Sequence, residues 1–248
     1  GAVAFAPAAL LFPGRDVAFV PSGTAHGILH ERAKLKGTGV LALGDPDYDT
    51  GDAGASVVTS LRGSVVLGRL PATGPEARAV GDVVLTRRAA SEPGLRDALA
   101  TRPRWRAVHI ACHGLTDARN PLFSSLALTP TPGDDGFLTA LEVHRMHVSA
   151  DLVTLSACET GVGRLYAGEG SVGLAQAFMV AGAPRVLVSL WKVDDAATGA
   201  LMTRFYEAFR KGVPAARALR EAQESIRADA KWAHPRFWAA WVLWGDGG

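Results

Sequence analysis

The chain has 248 residues, 48% of them hydrophobic and 20% charged, with a formal net charge of +2. That is the composition of a globular protein long enough to bury a sizeable core, and with no basic run longer than Arg87-Arg88 it argues against a nucleic-acid partner. No apolar stretch approaches the roughly 18–20 residues that span a bilayer, so no membrane partner is expected.

The apolar start, Gly1 to Pro13, has no basic residue ahead of it and no Met. A secretory leader would carry a charged start, so this segment reads as folded structure in a piece of a longer protein. The only two cysteines, Cys112 and Cys158, are too few for a disulfide-stapled secreted domain and fit a reducing cytoplasm.

Short runs rich in Val, Ile and Leu predict strands at Asp16–Val20, Val40–Leu43, Val83–Leu85, Ala107–Ala111, Leu152–Ser156 and Val186–Leu190. They are apolar without alternation, as a parallel sheet covered on both faces requires. Helical patterns fall between them near Pro75–Val80, Glu92–Ala100, Thr139–Arg145 and Gly170–Val180, followed by Ala196–Arg210 and Pro214–Ala230. Pro214 suits a first helical turn, where its missing N–H would have had no partner. Gly44–Arg62 and Thr129–Gly136 are dense in turn formers and read as loops. Strands alternating with helices, without an internal repeat, predict one domain: a three-layer α/β/α sandwich around a mostly parallel sheet.

In such sheets ligands bind beyond the carboxyl ends of the strands. Two strand ends carry reactive side chains: Val108-His109-Ile110-Ala111 runs into Cys112-His113-Gly114, and Leu152-Val153-Thr154-Leu155-Ser156-Ala157 into Cys158. If the two strands are neighbours, a thiol and an imidazole meet at one edge, the arrangement nucleophilic catalysis needs. A free thiol has a pKa near 8.5, so about 3% is thiolate at pH 7. An imidazole stabilises the thiolate and passes its proton to the leaving amine. The amides of Gly114 and Cys158 are candidates to hold the developing oxyanion. The bland alternative is a packed cysteine beside a structural histidine. Alternation sends Cys112 to the face opposite His113, into the core.

The second half resembles the CHAT domain family, caspase-like proteins related to separase. The matching segments are His109-Ile110-Ala111-Cys112-His113-Gly114, Asn120-Pro121-Leu122, and Leu152–Gly161 with the core Ser-Ala-Cys-Glu-Thr-Gly. They continue through Gly168-Glu169-Gly170, Ala181-Gly182-Ala183, Ser189-Leu190-Trp191-Lys192-Val193-Asp194-Asp195 and Phe237-Trp238-Ala239-Ala240-Trp241. The resemblance implies the caspase–hemoglobinase fold and a cysteine endopeptidase with a Cys158/His113 dyad. It also implies Gly114 at the oxyanion hole, and no metal or other cofactor. It implies that the family's first strand lies ahead of Ala4, outside this chain, and that a regulatory or TPR-type sensor partner is encoded elsewhere. A latent scaffold or interaction module is the alternative, since caspase-like folds serve so when the dyad is lost. The acidic position with which separases receive a basic side chain falls near Gly199, which carries no charge. Glu169, Asp194 and Asp195 remain as carboxylate candidates for substrate binding, although Asp194 is also placed to cap the helix from Ala196.

Other chemistries are poorly supported. Gly168-Glu169-Gly170-Ser171-Val172-Gly173 lacks the Lys-Ser/Thr ending of a P-loop. No Gly-x-Ser-x-Gly elbow occurs. His144/His147 and His109/His113 are close pairs without a third zinc ligand at the right spacing. The aromatic tail, Trp232–Trp244, reads as core packing.

Overall fold

The structure, a computed structural model, describes residues 6–48, 55–60, 63–117, 120–159 and 169–248; of these, the side chains of 55–60, 63–66, 157–159 and 169–172 lie outside the description. Eight strands form the main sheet. In chain order they are β1 (Thr38–Pro46), β4 (Val83–Arg87), β5 (Trp105–Leu115), β6 (Ser125–Ala127), β7 (Phe137–Thr139), β8 (Val153–Glu159), β9 (Arg185–Ser189) and β10 (Trp241–Gly245). The spatial order is β10-β9-β8-β5-β1-β4, parallel except for β10, with β6 and β7 continuing from the far end of β5. A separate hairpin pairs β2 (Ala55–Ser60) with β3 (Gly63–Gly68).

Helices cover both faces, as the unalternating strands require. On one face α2 (Gly23–Ala33), α4 (Glu92–Ala100), α5 (Ala140–Arg145) and α6 (Glu169–Ala181) pack over Leu41, Val108, Ile110, Cys112, Val153 and Val186. On the other, α3 (Thr73–Val80), α7 (Asp195–Arg210) and α8 (Ala215–Ala228) cover Val40, Ala42, Ala107, Leu152 and Leu187. The predicted three-layer α/β/α sandwich is what the chain forms. In α8 the buried residues Ala215, Ala218, Leu219, Ala222 and Ile226 recur at helical spacing, which turns one stripe to the sheet. Helix starts follow capping chemistry: Ser91 Oγ accepts from Gly94 N at 3.2 Å, and Thr139 and Glu142 form a reciprocal capping box over α5. Among the described residues no helix is long and apolar enough to cross a membrane.

Several expectations need correction. Asp16–Val20 is not a strand; only Phe19 bridges Trp244, because only its N–H and C=O meet β10, through Leu243 O and Gly245 N, both at 2.8 Å. Much of Gly44–Arg62 is not loop: β1 runs on through Gly44-Asp45-Pro46, and 55–60 forms half of the β2–β3 hairpin. Pro214 is the N-cap of α8 rather than part of its first turn. The turn region Thr129–Gly136 is as expected, with Gly133 and Gly136 at φ 100° and 80°. Trp238, Trp241 and Trp244 are core residues.

One polar network crosses the α3/α7 layer. His109, fully buried in β5, hydrogen-bonds Glu76 Oε1 on α3 through Nε2 at 3.1 Å, while its Nδ1 lies 3.4 Å from the Tyr206 hydroxyl on α7. That hydroxyl donates to Thr154 Oγ1 on β8 at 2.9 Å. Burial of unpartnered polar groups is costly, so the network must be complete for the layer to pack. Tyr206→Phe strands Thr154 and His109 and is expected to destabilise the chain by about 1–3 kcal/mol, read from the denaturant midpoint.

Candidate functional site

The site lies where β5 changes neighbours. Up to Ala111, β5 pairs with β1, Gly44 being opposite Ala111; from His113 onward its partner on that side is β6, with His113 opposite Ala127 and Gly114 opposite Leu126. The other side of β5 pairs with β8 from Val108 to Gly114, in a register that sets Cys112 opposite Ala157, His113 opposite Cys158 and Gly114 opposite Glu159. The two strands are therefore neighbours, as the thiol–imidazole expectation requires, and His113 and Cys158 occupy one rung. Both stand within the last three residues of their strands: β5 continues to Leu115 because β6 pairs with it, and β8 continues to Glu159. Gly114 is likewise a strand residue, flanked on both sides, and not a turn.

His113 is 8% exposed. Its Nε2 is 2.7 Å from the carbonyl oxygen of Gly68, at the end of β3. A carbonyl only accepts, so Nε2 carries the hydrogen, and in the neutral ring Nδ1 is left with its lone pair. The Tyr48 hydroxyl accepts from His113 N at 3.4 Å and donates to Ala127 O at 3.1 Å, and the two rings lie 5.4 Å apart. Burial holds the His113 pKa below the ordinary histidine value; the Gly68 carbonyl opposes that shift and the positive charge of Lys192 adds to it. Burial also raises the Tyr48 pKa, so its phenol stays protonated.

Cys112 is buried in the first helical layer, on the face away from His109 and Tyr206, and its thiol donates to His113 O at 3.5 Å. The side chains of Cys158 and Glu169 lie outside the described residues, as do residues 160–168 between their elements. Asp194 Oδ1 accepts from Ala197 N at 3.0 Å, which is the capping role, and Asp195 is an exposed residue of the first turn of α7. Among the described residues no cluster could hold a metal ion. Sequence reasoning missed Tyr48, Gly68 and Lys192. Lys192 falls within the segment Ser189–Asp195, but nothing local to Tyr48 or Gly68 reveals that chain folding brings them to His113.

The CHAT domain family profile matches residues 7–246. Two curated relatives share part of the chain. Tetratricopeptide repeat protein 28 of Mus musculus is 37% identical over 109 residues, 44% of this chain and 4% of that protein. Its Homo sapiens counterpart is 34% identical over 115 residues, 46% and 5% respectively. The chain thus spans a small fraction of either relative. A chain of the Saccharomyces cerevisiae separase–securin complex superposes with a TM-score of 0.57 at 15% identity, over 98% of this chain and 14% of that one. A second structure of the same complex gives 0.57 and covers 98% and 15%. At such identity the likeness is one of fold, a caspase-like α/β sandwich.

Two outcomes are expected. A neutral, buried His113 binds its proton less readily folded than unfolded, so stability is intact above about pH 6.5 and falls as pH drops through that value toward the lower folded pKa. Urea midpoints of the wild type and His113→Gln across this range should differ in slope, the variant losing less. Cys112 should resist iodoacetamide in the folded chain and react once denaturant is added, as peptide mass spectrometry reads directly.

Proposed function

Because this chain belongs to the CHAT domain family, we propose that it is a cysteine endopeptidase, acting as one domain through Cys158 as nucleophile and His113 as proton carrier. The observation that carries this reading is the shared rung of the two residues at the point where β1 leaves β5. Rung partners in a parallel ladder lie on one face of the pleat. The tautomer fixed by Gly68 leaves His113 Nδ1 as the nitrogen able to take a proton.

In this mechanism Nδ1 accepts the thiol proton of Cys158, and the thiolate adds to the carbonyl carbon of the scissile peptide. The oxyanion forms against backbone N–H groups; the family resemblance offers the amides of Gly114 and Cys158 for this, both residues standing within the β5–β8 ladder. Collapse breaks the C–N bond, and the imidazolium delivers its proton to the departing amine. Water, deprotonated by the same imidazole, then releases the acyl group from sulfur. A lowered His113 pKa suits this role, because the ring is neutral and able to accept at pH 7. The chemistry needs no metal.

Substrate selection is assigned to charge around the cleft. Glu169 and Asp195 are the carboxylates offered to a basic side chain before the cut; Asp194 is already engaged as a helix cap, and Lys192 sets an opposing charge near His113. The likeness to two tetratricopeptide repeat proteins supports a TPR-type region as the regulatory partner. Cys158→Ala and His113→Ala should each lower cleavage of a peptide library by about a thousandfold or more, with the double variant little worse than either. Cleavage undiminished in Cys158→Ala overturns the mechanism. A folded wild-type chain that cleaves nothing, alone or with a TPR segment, assigns the fold to the scaffold reading instead.

A further inference from the structure

The Gly68 carbonyl that holds His113 belongs to the peptide unit joining Gly68 to Arg69. A peptide unit is rigid and planar, so restraining Arg69 narrows the directions that this oxygen can take. Arg69 is held at two points: Nε donates to Asp45 Oδ1 at 2.9 Å and Nη2 to Asp45 Oδ2 at 2.8 Å. Asp45 also grips the far side of the same connection. Its backbone N–H donates to Thr73 Oγ1 at 2.7 Å, and the Thr73 hydroxyl donates to Leu70 O at 2.7 Å.

Asp45 can do both because it is excluded from the sheet ladder. The β1–β4 register passes from Gly44 opposite Thr86 to Pro46 opposite Arg87, leaving Asp45 as the bulged residue. Bulges recur beside functional sites, where they re-aim a side chain. Asp45 has φ 48° and Arg87 φ 55°, the two non-glycine residues with left-handed backbone among those described. The Arg87 guanidinium lies 3.6 Å from Asp45 Oδ1 and 3.1 Å from Asp47 Oδ1, so the two unusual conformations belong to one cluster. Such backbone persists only where its surroundings over-determine it, and functional sites are where it concentrates. The Arg69 side chain is 54% exposed, and an ion pair so exposed contributes little to stability. Its two-point geometry, by contrast, specifies direction.

We propose that Asp45 and Arg69 are positioning residues: their bidentate pair aims the Gly68 carbonyl at His113 Nε2 and so keeps the imidazole in the tautomer whose Nδ1 accepts a proton. The inference rests on His113 as proton carrier, but its central readout does not require activity. The test uses the full chain with Arg69→Ala, Arg69→Lys and Asp45→Asn. The His113 ring nitrogens are followed by ¹⁵N NMR, assigned through His113→Gln, alongside peptide cleavage and melting temperature.

In the wild type Nε2 is protonated and Nδ1 is not. Arg69→Ala should give a mixture of tautomers and lower kcat by about tenfold, with KM and melting temperature nearly unchanged. Arg69→Lys, which keeps the charge without the two-point geometry, should fall between, and Asp45→Asn should reproduce the mixed tautomer. An unchanged tautomer in Arg69→Ala overturns the proposal, whether or not cleavage changes. Persistent activity in Cys158→Ala, by contrast, sinks the peptidase mechanism and leaves the tautomer result standing.

Discussion

The parallel register between β5 and β8 is the constraint from which the candidate site follows. Neither His113 nor Cys158 is brought into place by a flexible loop; each is a rung of the central ladder, and Val108 opposite Val153 begins the same run that ends in Gly114 opposite Glu159. A slip of one residue would turn every side chain of one strand to the wrong layer, driving Cys112 toward α3 and α7 and His113 into the apolar α4–α6 layer. The packing of Val108, Ile110 and Cys112 against one set of helices therefore enforces the position of His113 on the other face. Core burial and site geometry are enforced together.

That other face is where the sheet carries its polar cargo. His109 and His113, four positions apart on β5, both lie there, but their surroundings differ. His109 is sealed within a network of Glu76, Tyr206 and Thr154, which joins two helices to the sheet. His113 lies beyond the last rung with β1, where the Asp45 bulge and the departing strand leave room for Gly68 and Tyr48. One histidine has both ring nitrogens engaged by side chains. The other has one nitrogen committed to a backbone carbonyl, and among the described residues no hydrogen bond engages the second. The same residue type, on the same strand and face, is held in two different ways according to what its neighbours occupy.

Much of this was readable from local pattern. The runs at Val40–Leu43, Ala107–Ala111 and Leu152–Ser156 lack the polar alternation of a half-exposed strand, and such runs belong to buried parallel strands. The helical pattern at Glu92–Ala100 coincides with α4, which Ser91 caps and which carries Pro93 in its first turn. Cys112 followed from alternation alone. What escaped was whatever depends on pairing. The hairpin Ala55–Ser60 with Gly63–Gly68 is short and small-residued, and stands as a sheet of its own only because its halves pair with each other. Gly44-Asp45-Pro46-Asp47 has turn composition, yet becomes strand with a bulge because β4 and Thr73 supply partners on its flanks. The extension of β5 to Leu115 likewise depends on β6, whose three residues carry little signal alone. Tyr48 and Gly68 reach His113 only through the fold, so no local spacing could announce them.

The single bridge at Phe19 has a consequence for how copies of this protein meet. An open sheet edge presents a row of unpaired N–H and C=O groups that another chain can extend. At β10 the passing segment occupies both groups of that row that it reaches, Leu243 O and Gly245 N, and the Phe19 ring lies 5.7 Å from Trp244 over the end of the strand. It blunts the edge without being a strand itself. At the opposite margin β4 is only five residues long, and brevity is another device that discourages strand addition. The two margins of the sheet thus differ in kind: one is partly covered by a strap of the chain's own backbone, and the other offers a second copy only a short strand to extend.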